Sequence, residues 1–208
     1  MVVNAGSNVD IAAIEPYADA IILAWYPGEQ GGNTLADIVF GKISPSGRLP
    51  VSFYSSLNDL PDYTNYSMQG RTYRYFKGAL QYPFGFGLSY TSFAYTWNKQ
   101  PQTTYASNET IEFSVAVENT GSMDGNEVVQ AYIEYPEIND MPLKELKAFK
   151  KVSTKKSGKL NVALSIPVSE LKKWDTASNP WKLYPGNYTL CLGKNANDYL
   201  LKKKFTIN

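Results

Sequence analysis

Chemistry at neutral pH needs side chains that can hold or move charge, and this sequence restricts the choice. Its 208 residues include no histidine and one cysteine, Cys191. That removes a Ser-His-Asp triad, Cys-His catalysis, a His-Glu-x-x-His zinc site and any histidine proton shuttle. It also removes an intrachain disulfide and a cysteine-rich metal cluster. Acid–base work is left to Asp, Glu, Lys and Tyr. The most tempting carboxylate is Glu29, in a glycine-flanked turn between an apolar run and a helical pattern. The C-terminal end of a parallel strand is where α/β sites gather. An acidic residue beside a helix start is equally well placed against the macrodipole, and that structural reading is preferred. Gly28, Gly31 and Gly32 have neither G-x-G-x-x-G nor P-loop spacing, so they argue for tight strand-to-helix packing and against a nucleotide site.

A second cluster lies between Tyr63 and Phe76, where Tyr66, Met68, Arg71, Tyr73, Arg74 and Tyr75 fall within a short span. Aromatic rings and guanidinium groups can stack on and hydrogen-bond to sugars, so Arg71, Tyr73 and Arg74 are candidates for the rim of a substrate site. In the competing account, preferred here, the arginines tie the loop to neighbouring carbonyls and the tyrosines fill an interface. The Arg-x-Tyr-Arg-Tyr pattern could also mimic a single-stranded nucleic-acid platform, but 20 basic against 19 acidic residues leave no basic excess to support it. Trp25, Trp97, Trp174 and Trp181 are expected in cores, and the lysines from Lys144 to Lys156 along a solvated sheet edge.

The elements that must position these groups divide in two. Hydrophobic residues make up 43% and charged residues 19%, so a packed core is expected. In the first part, Met1–Asn4 is expected as a short strand, Asp10–Tyr17 as a short helix, Ala18–Tyr26 as an apolar buried strand and Gln30–Phe40 as an amphipathic helix stopped by Gly41. That order predicts parallel strands joined by helical crossovers. Two strands are too few for a doubly wound sheet, so this is a partial α/β unit. From Ser44 to Thr96 the sequence is rich in Tyr, Gly and Pro and predicts long loops, with Pro83–Tyr90 as a rigid bend. The second part predicts an all-β sandwich, with strands at Ile111–Val117, Val128–Tyr135, Leu146–Val152, Leu160–Ile166, Trp181–Tyr184, Tyr188–Leu192 and Tyr199–Ile207. A helical turn is expected at Val168–Trp174. The expected division is an α/β part over 1–97, a linker over 98–104 and the sandwich over 105–208.

Ordered blocks of residues carry a family resemblance. Ala24-Trp-Tyr-Pro-Gly-Glu-Gln-Gly-Gly, Leu35-Ala-Asp-Ile-Val-Phe-Gly-Lys and Ser44-Pro-Ser-Gly-Arg-Leu-Pro resemble the late part of the α/β sandwich domain of glycoside hydrolase family 3. Gly70-Arg-Thr-Tyr-Arg-Tyr-Phe and Tyr82-Pro-Phe-Gly-Phe-Gly-Leu-Ser-Tyr-Thr follow in the family's order. Val117-Glu-Asn-Thr-Gly, Asp124-Gly-Asn-Glu-Val-Val-Gln and Lys144-Glu-Leu-Lys-Ala-Phe-Lys-Lys-Val resemble the fibronectin type III-like domain that commonly comes next. The resemblance implies a retaining exo-β-glycosidase of β-glucosidase or β-xylosidase type, with carboxyl groups ~5–5.5 Å apart. It places the nucleophile Asp in a preceding barrel and the acid/base Glu upstream of the block that opens this chain. No residue here is therefore assigned a catalytic role, and no cofactor or metal is implied. The Leu60–Tyr75 segment resembles the xylosidase branch.

The expected partners are a β-linked oligosaccharide or glycoside and an upstream barrel, with self-association possible through an open sheet edge; neither nucleic acid nor membrane is expected. The sequence shows no signal peptide and leaves the compartment open, a periplasmic or secreted parent enzyme being one of the locations compatible with the resemblance. The rival reading is a non-catalytic carbohydrate-binding or protein-interaction module.

Overall fold

A computed structural model of the chain describes residues 1–138, 140–175 and 177–208. The sandwich dominates it. Strands β7 (Thr110–Asn119) and β8 (Gly125–Glu134) each place an apolar side chain at every second position: Ile111, Phe113, Val115 and Val117 on one, Val129, Ala131 and Ile133 on the other. All seven are 2% exposed or less and share one core. Period-2 alternation turns one face of each strand inward, so two sheets close on each other.

One sheet has three antiparallel strands, in the order β10 (Lys159–Pro167), β7 and β5 (Phe93–Lys99). The other has five, in the order β6 (Thr104–Tyr105), β14 (Asp198–Ile207), β13 (Gly186–Asn195), β8 and β9 (Lys144–Thr154). A 3-10 turn at Val168–Leu171 seals one end with Val168 and Leu171, both fully buried. A small hairpin, β11 (Lys173–Trp174) with β12 (Trp181–Lys182), stands out from the sandwich. There Trp174 and Trp181 face each other edge-on, 6.0 Å between ring centres, and both stay exposed, contrary to the core placement expected.

Six of the seven sandwich strands expected from the sequence form in the two sheets; the seventh, expected at Trp181–Tyr184, is the two-residue β12, which pairs only with β11 outside them. β5 was missed, despite the alternation of Phe93, Tyr95 and Trp97. It pairs with β7 from Phe93↔Asn119 to Lys99↔Ser114, so Asn98 and Lys99, expected in the linker, are sandwich residues. Residues 100–103 then join β5 to β6.

The first part is thinner than its apolar content suggests. β1 (Val2–Val3) and β2 (Ile22–Leu23) pair in parallel through two rungs. The expected Ala18–Tyr26 strand is cut to two residues because its one partner, β1, ends at Val3 before the Gly6 turn. The helix expected over Asp10–Tyr17 is a single 3-10 turn at Glu15–Tyr17. Helix α1 (Gly31–Val39) forms as expected. β3 (Phe53–Tyr54) pairs with β4 (Leu80–Tyr82), and a one-turn helix α2 (Thr72–Tyr75) lies between them. Tyr17, Tyr26, Phe40 and Leu57 are each at least 74% exposed, an unusual number of large apolar side chains facing water.

Candidate functional site

The centre of the five-stranded sheet, along β8 and β13, is buried on both faces. Gln130 and Tyr132 alternate with the inward Val129, Ala131 and Ile133 and meet the first part of the chain. Tyr132 and Cys191 are fully buried there beneath Tyr73 and Phe84, whose rings stack 4.1 Å apart. Burial pushes the Cys191 thiol up to about 12, so it is an inert packing group at neutral pH. Three backbone contacts fasten the layers. Ala196 N–H donates to Phe84 O at 2.9 Å, Leu143 N–H to Arg74 O at 2.7 Å, and Leu146 N–H to the Tyr73 hydroxyl oxygen at 3.1 Å.

Each rim candidate is engaged within the fold. Arg71 Nη2 donates to the carbonyls of Pro61, Asp62 and Asn65, closing the 61–71 loop on itself. Tyr73 is the stacked and hydrogen-bonded residue just described, and burial raises its phenol. Arg74 Nη1 lies 3.4 Å from Glu145 Oε1. Glu29 sits exposed in the loop ahead of α1. A Cβ on Gly31 would lie 2.5 Å from Pro27 Cβ, so the close approach of the turn to the helix start requires glycine there. The lysine run only partly matches its expectation: Lys150 and Lys151 are exposed, whereas Lys144 and Lys147 are half-buried and bonded.

Sequence reasoning missed Glu145, the centre of this region. It is 7% exposed and takes contacts from Lys147 Nζ at 2.8 Å, Lys173 Nζ, the Tyr135 hydroxyl at 2.7 Å and Arg74. Burial opposes its charge, but hydrogen bonds from Lys147, Lys173 and Tyr135 outweigh that and hold its carboxyl at about 2. Because the folded value lies below the ordinary 4.5, the stabilisation is fully present above pH 4.5 and is lost as pH falls towards 2. Urea midpoints measured from pH 6 to 2 should therefore fall more steeply for the natural chain than for Glu145→Gln, which starts lower and stays flatter.

Within the first part lies a cleft of about 390 Å³, lined by Asn8, Pro50–Ser52, Tyr54, Thr72–Arg74 and Phe84. Thr72, a β-branched residue, holds φ 56°, in the left-handed region. The Tyr54 hydroxyl fixes it there by accepting Thr72 N–H at 2.8 Å. Thr72→Gly keeps that bond and relieves the backbone, but it gives up the Thr72 Oγ1 that accepts Arg74 N–H at 3.3 Å and adds glycine's entropy cost, so the urea midpoint should move by the equivalent of less than about 1 kcal/mol. Among the described residues, no group of three or more His, Cys, Asp and Glu side chains is placed to hold a metal.

Comparison with known proteins agrees with this architecture. The glycosyl hydrolase family 3 C-terminal domain model matches residues 1–90, and the fibronectin type III-like domain model matches residues 127–196. A xylan 1,4-β-xylosidase of Xylanibacter ruminicola is 39% identical over 198 residues, which are 95% of this chain and 23% of that protein. A periplasmic β-glucosidase of Salmonella typhimurium is 33% identical over 93% of this chain and 27% of its own length. The crystal structure of a family 3 β-glucosidase from Bifidobacterium adolescentis superposes on 99% of this chain and 32% of that one, with a TM-score of 0.89 and 31% identity. The chain thus spans about a quarter to a third of the length of these relatives. Its two parts, in this order, make it a member of glycoside hydrolase family 3, holding the family's C-terminal domain residues and a fibronectin type III-like domain.

Proposed function

We propose that this chain is the bracing, pocket-completing part of a retaining exo-β-glycosidase that removes terminal β-linked sugars, with β-xylosides its first substrate class. The observation that carries this is the match of 95% of the chain to a quarter of a xylan 1,4-β-xylosidase. The exposed Tyr17, Tyr26 and Phe40 would pack against a barrel and the remaining strands of the α/β domain. Arg71, Tyr73 and Arg74 would act by holding the loop and the sandwich in register, not by touching sugar. Retention needs two carboxyl groups at close range, and the nucleophile and acid/base would come from the preceding segments. The isolated chain should accordingly hydrolyse neither aryl β-xyloside nor aryl β-glucoside at high protein concentration. Turnover abolished by Glu29→Gln would overturn this reading and make the chain a compact glycosidase.

The open edges of the β1–β2 pair favour a second behaviour, self-association of the isolated chain. Light scattering should show a mass that rises with concentration.

A further inference from the structure

The β11–β12 hairpin is turned the unusual way round. Successive residues of a strand point to opposite sides, and here the charged side faces in. Lys173 reaches the buried Glu145, and its own side chain is 17% exposed. Trp174, the next residue, points outward, together with Trp181, its partner across the ladder. Trp174 is 49% and Trp181 65% exposed, so two indoles face water while a lysine is taken in.

The edge-on contact of the two rings supports the hairpin, but a pair serving the fold alone would gain more from burial. Trp97 shows the alternative, packed edge-on against Phe113 beside the sandwich core. The hairpin is fastened from its other side, by Lys173 on Glu145 and by Lys182, whose Nζ lies 5.1 Å from the centre of the Tyr184 ring. The indoles are thus held in place and left open. An aromatic pair fixed in advance binds a ligand at low entropic cost.

The chemistry that fits such a pair is a sugar chain. The electron-rich face of an indole attracts the C–H groups on the flat side of a pyranose. Ring centres 6.0 Å apart let two consecutive sugars of a β-1,4-linked chain take one indole each. The angle between the rings, 75°, selects among such chains. In β-1,4-glucan, hydrogen bonds through the exocyclic hydroxymethyl group keep successive rings in one flat ribbon, which calls for coplanar indoles. β-1,4-Xylan has no hydroxymethyl group, and its successive rings turn relative to one another about the linkage. Two steeply inclined indoles can each face one ring of a chain twisted in this way.

We infer that Trp174 and Trp181 form a non-catalytic binding site for β-1,4-xylan, which holds the polymer beside the pocket that trims its ends. The choice of xylan rests on the ring angle and, in part, on the β-xyloside reading above.

Calorimetric titration of the 208-residue chain with xylohexaose tests it, with cellohexaose and D-xylose as comparison ligands. Saturable binding of xylohexaose at least about tenfold tighter than that of cellohexaose is expected, and none of D-xylose, which cannot span two indoles. Trp174→Ala and Trp181→Ala should each weaken it at least about tenfold, as loss of a central aromatic contact does. Their urea midpoints should stay close to that of the natural chain, because both rings lie outside the sandwich core. Trp181→Tyr keeps a ring in the hairpin and should retain part of the affinity, so the test stays open if the alanine variants lose the hairpin. No saturation by about 5 mM xylohexaose would overturn the inference. So would cellohexaose binding as tightly, or undiminished binding by both alanine variants. Self-association that the alanine variants abolish, with no xylohexaose binding, would assign the pair to a protein contact and overturn it too. The glycosidase reading is tested separately, by turnover of aryl β-xyloside, whereas this isotherm is read without turnover.

Discussion

Arg48→Ala should be among the most damaging single substitutions in this chain, costing about 3–5 kcal/mol of stability. Arg48 reaches from the loop between α1 and β3 to Glu127 on β8, Nη2 to Oε2 at 2.8 Å, and both side chains are less than a tenth exposed. Glu127 itself is 2% exposed, and its other oxygen accepts the Tyr95 hydroxyl at 2.8 Å. Burial, with the Glu127 charge beside it, pushes the Tyr95 phenol far up, so it remains a neutral donor. Removing the guanidinium leaves a carboxylate out of reach of water with one neutral donor. The penalty comes from that uncompensated charge more than from the lost attraction. Arg48→Met with Glu127→Leu removes both charges at similar volume and should recover more than half of the loss. Urea unfolding followed by fluorescence measures both. A loss below about 1 kcal/mol for Arg48→Ala would mean that water reaches Glu127 and that the pair is not buried in solution.

The sandwich was legible because period-2 alternation is local. Each of Ile111–Val117, Val128–Tyr135 and Tyr199–Ile207 shows which face is apolar without knowledge of its partners. The strand that escaped, β5, alternates just as clearly. It was obscured by the polar stretch from Asn98 to Thr104, which looks like a linker and instead carries the end of β5 and the start of β6. In the first part the apolar content of Ala18–Tyr26 was visible, but the length of its ladder depends on a neighbour. β1 offers only Val2 and Val3.

The charged residues at the join were harder to see. Arg48 and Glu127 are 79 positions apart, and Arg74 and Glu145 are 71 apart. Nothing in the spacing of two isolated charges announces that they meet. The rim candidates were found because Arg and Tyr alternate within a few residues, a local signal. Their partners lie on β8, β9 and the 61–71 loop, where only the fold brings them close.

Gly85→Ala should have an effect comparable to that of Arg48→Ala, by a different route. Gly85 holds φ 82°, and a Cβ there would sit 2.1 Å from Gln130 Oε1 and 2.6 Å from the Tyr132 hydroxyl oxygen. The backbone contributes about 1 kcal/mol through the left-handed conformation. The larger part is steric. Gln130 cannot simply swing away, because its Nε2 donates to Gly85 O at 3.1 Å and to Lys194 O at 2.7 Å, while its Oε1 accepts the Tyr132 hydroxyl at 2.6 Å. Displacing it strands two buried carbonyls and a hydroxyl at about 1–3 kcal/mol each if unreplaced. A total of about 3–5 kcal/mol follows, and it would loosen the join between the two parts before it disturbs the sandwich core. A double-mutant cycle separates the causes. Gln130→Ala alone is destabilising, yet in its presence Gly85→Ala should cost clearly less than in the natural chain, because the nearest obstructing atom is gone and only the Tyr132 hydroxyl still crowds the new Cβ. Additive losses would instead assign the effect to the backbone of Gly85 and the Tyr132 hydroxyl, and the close approach to Gln130 would then have no part in it.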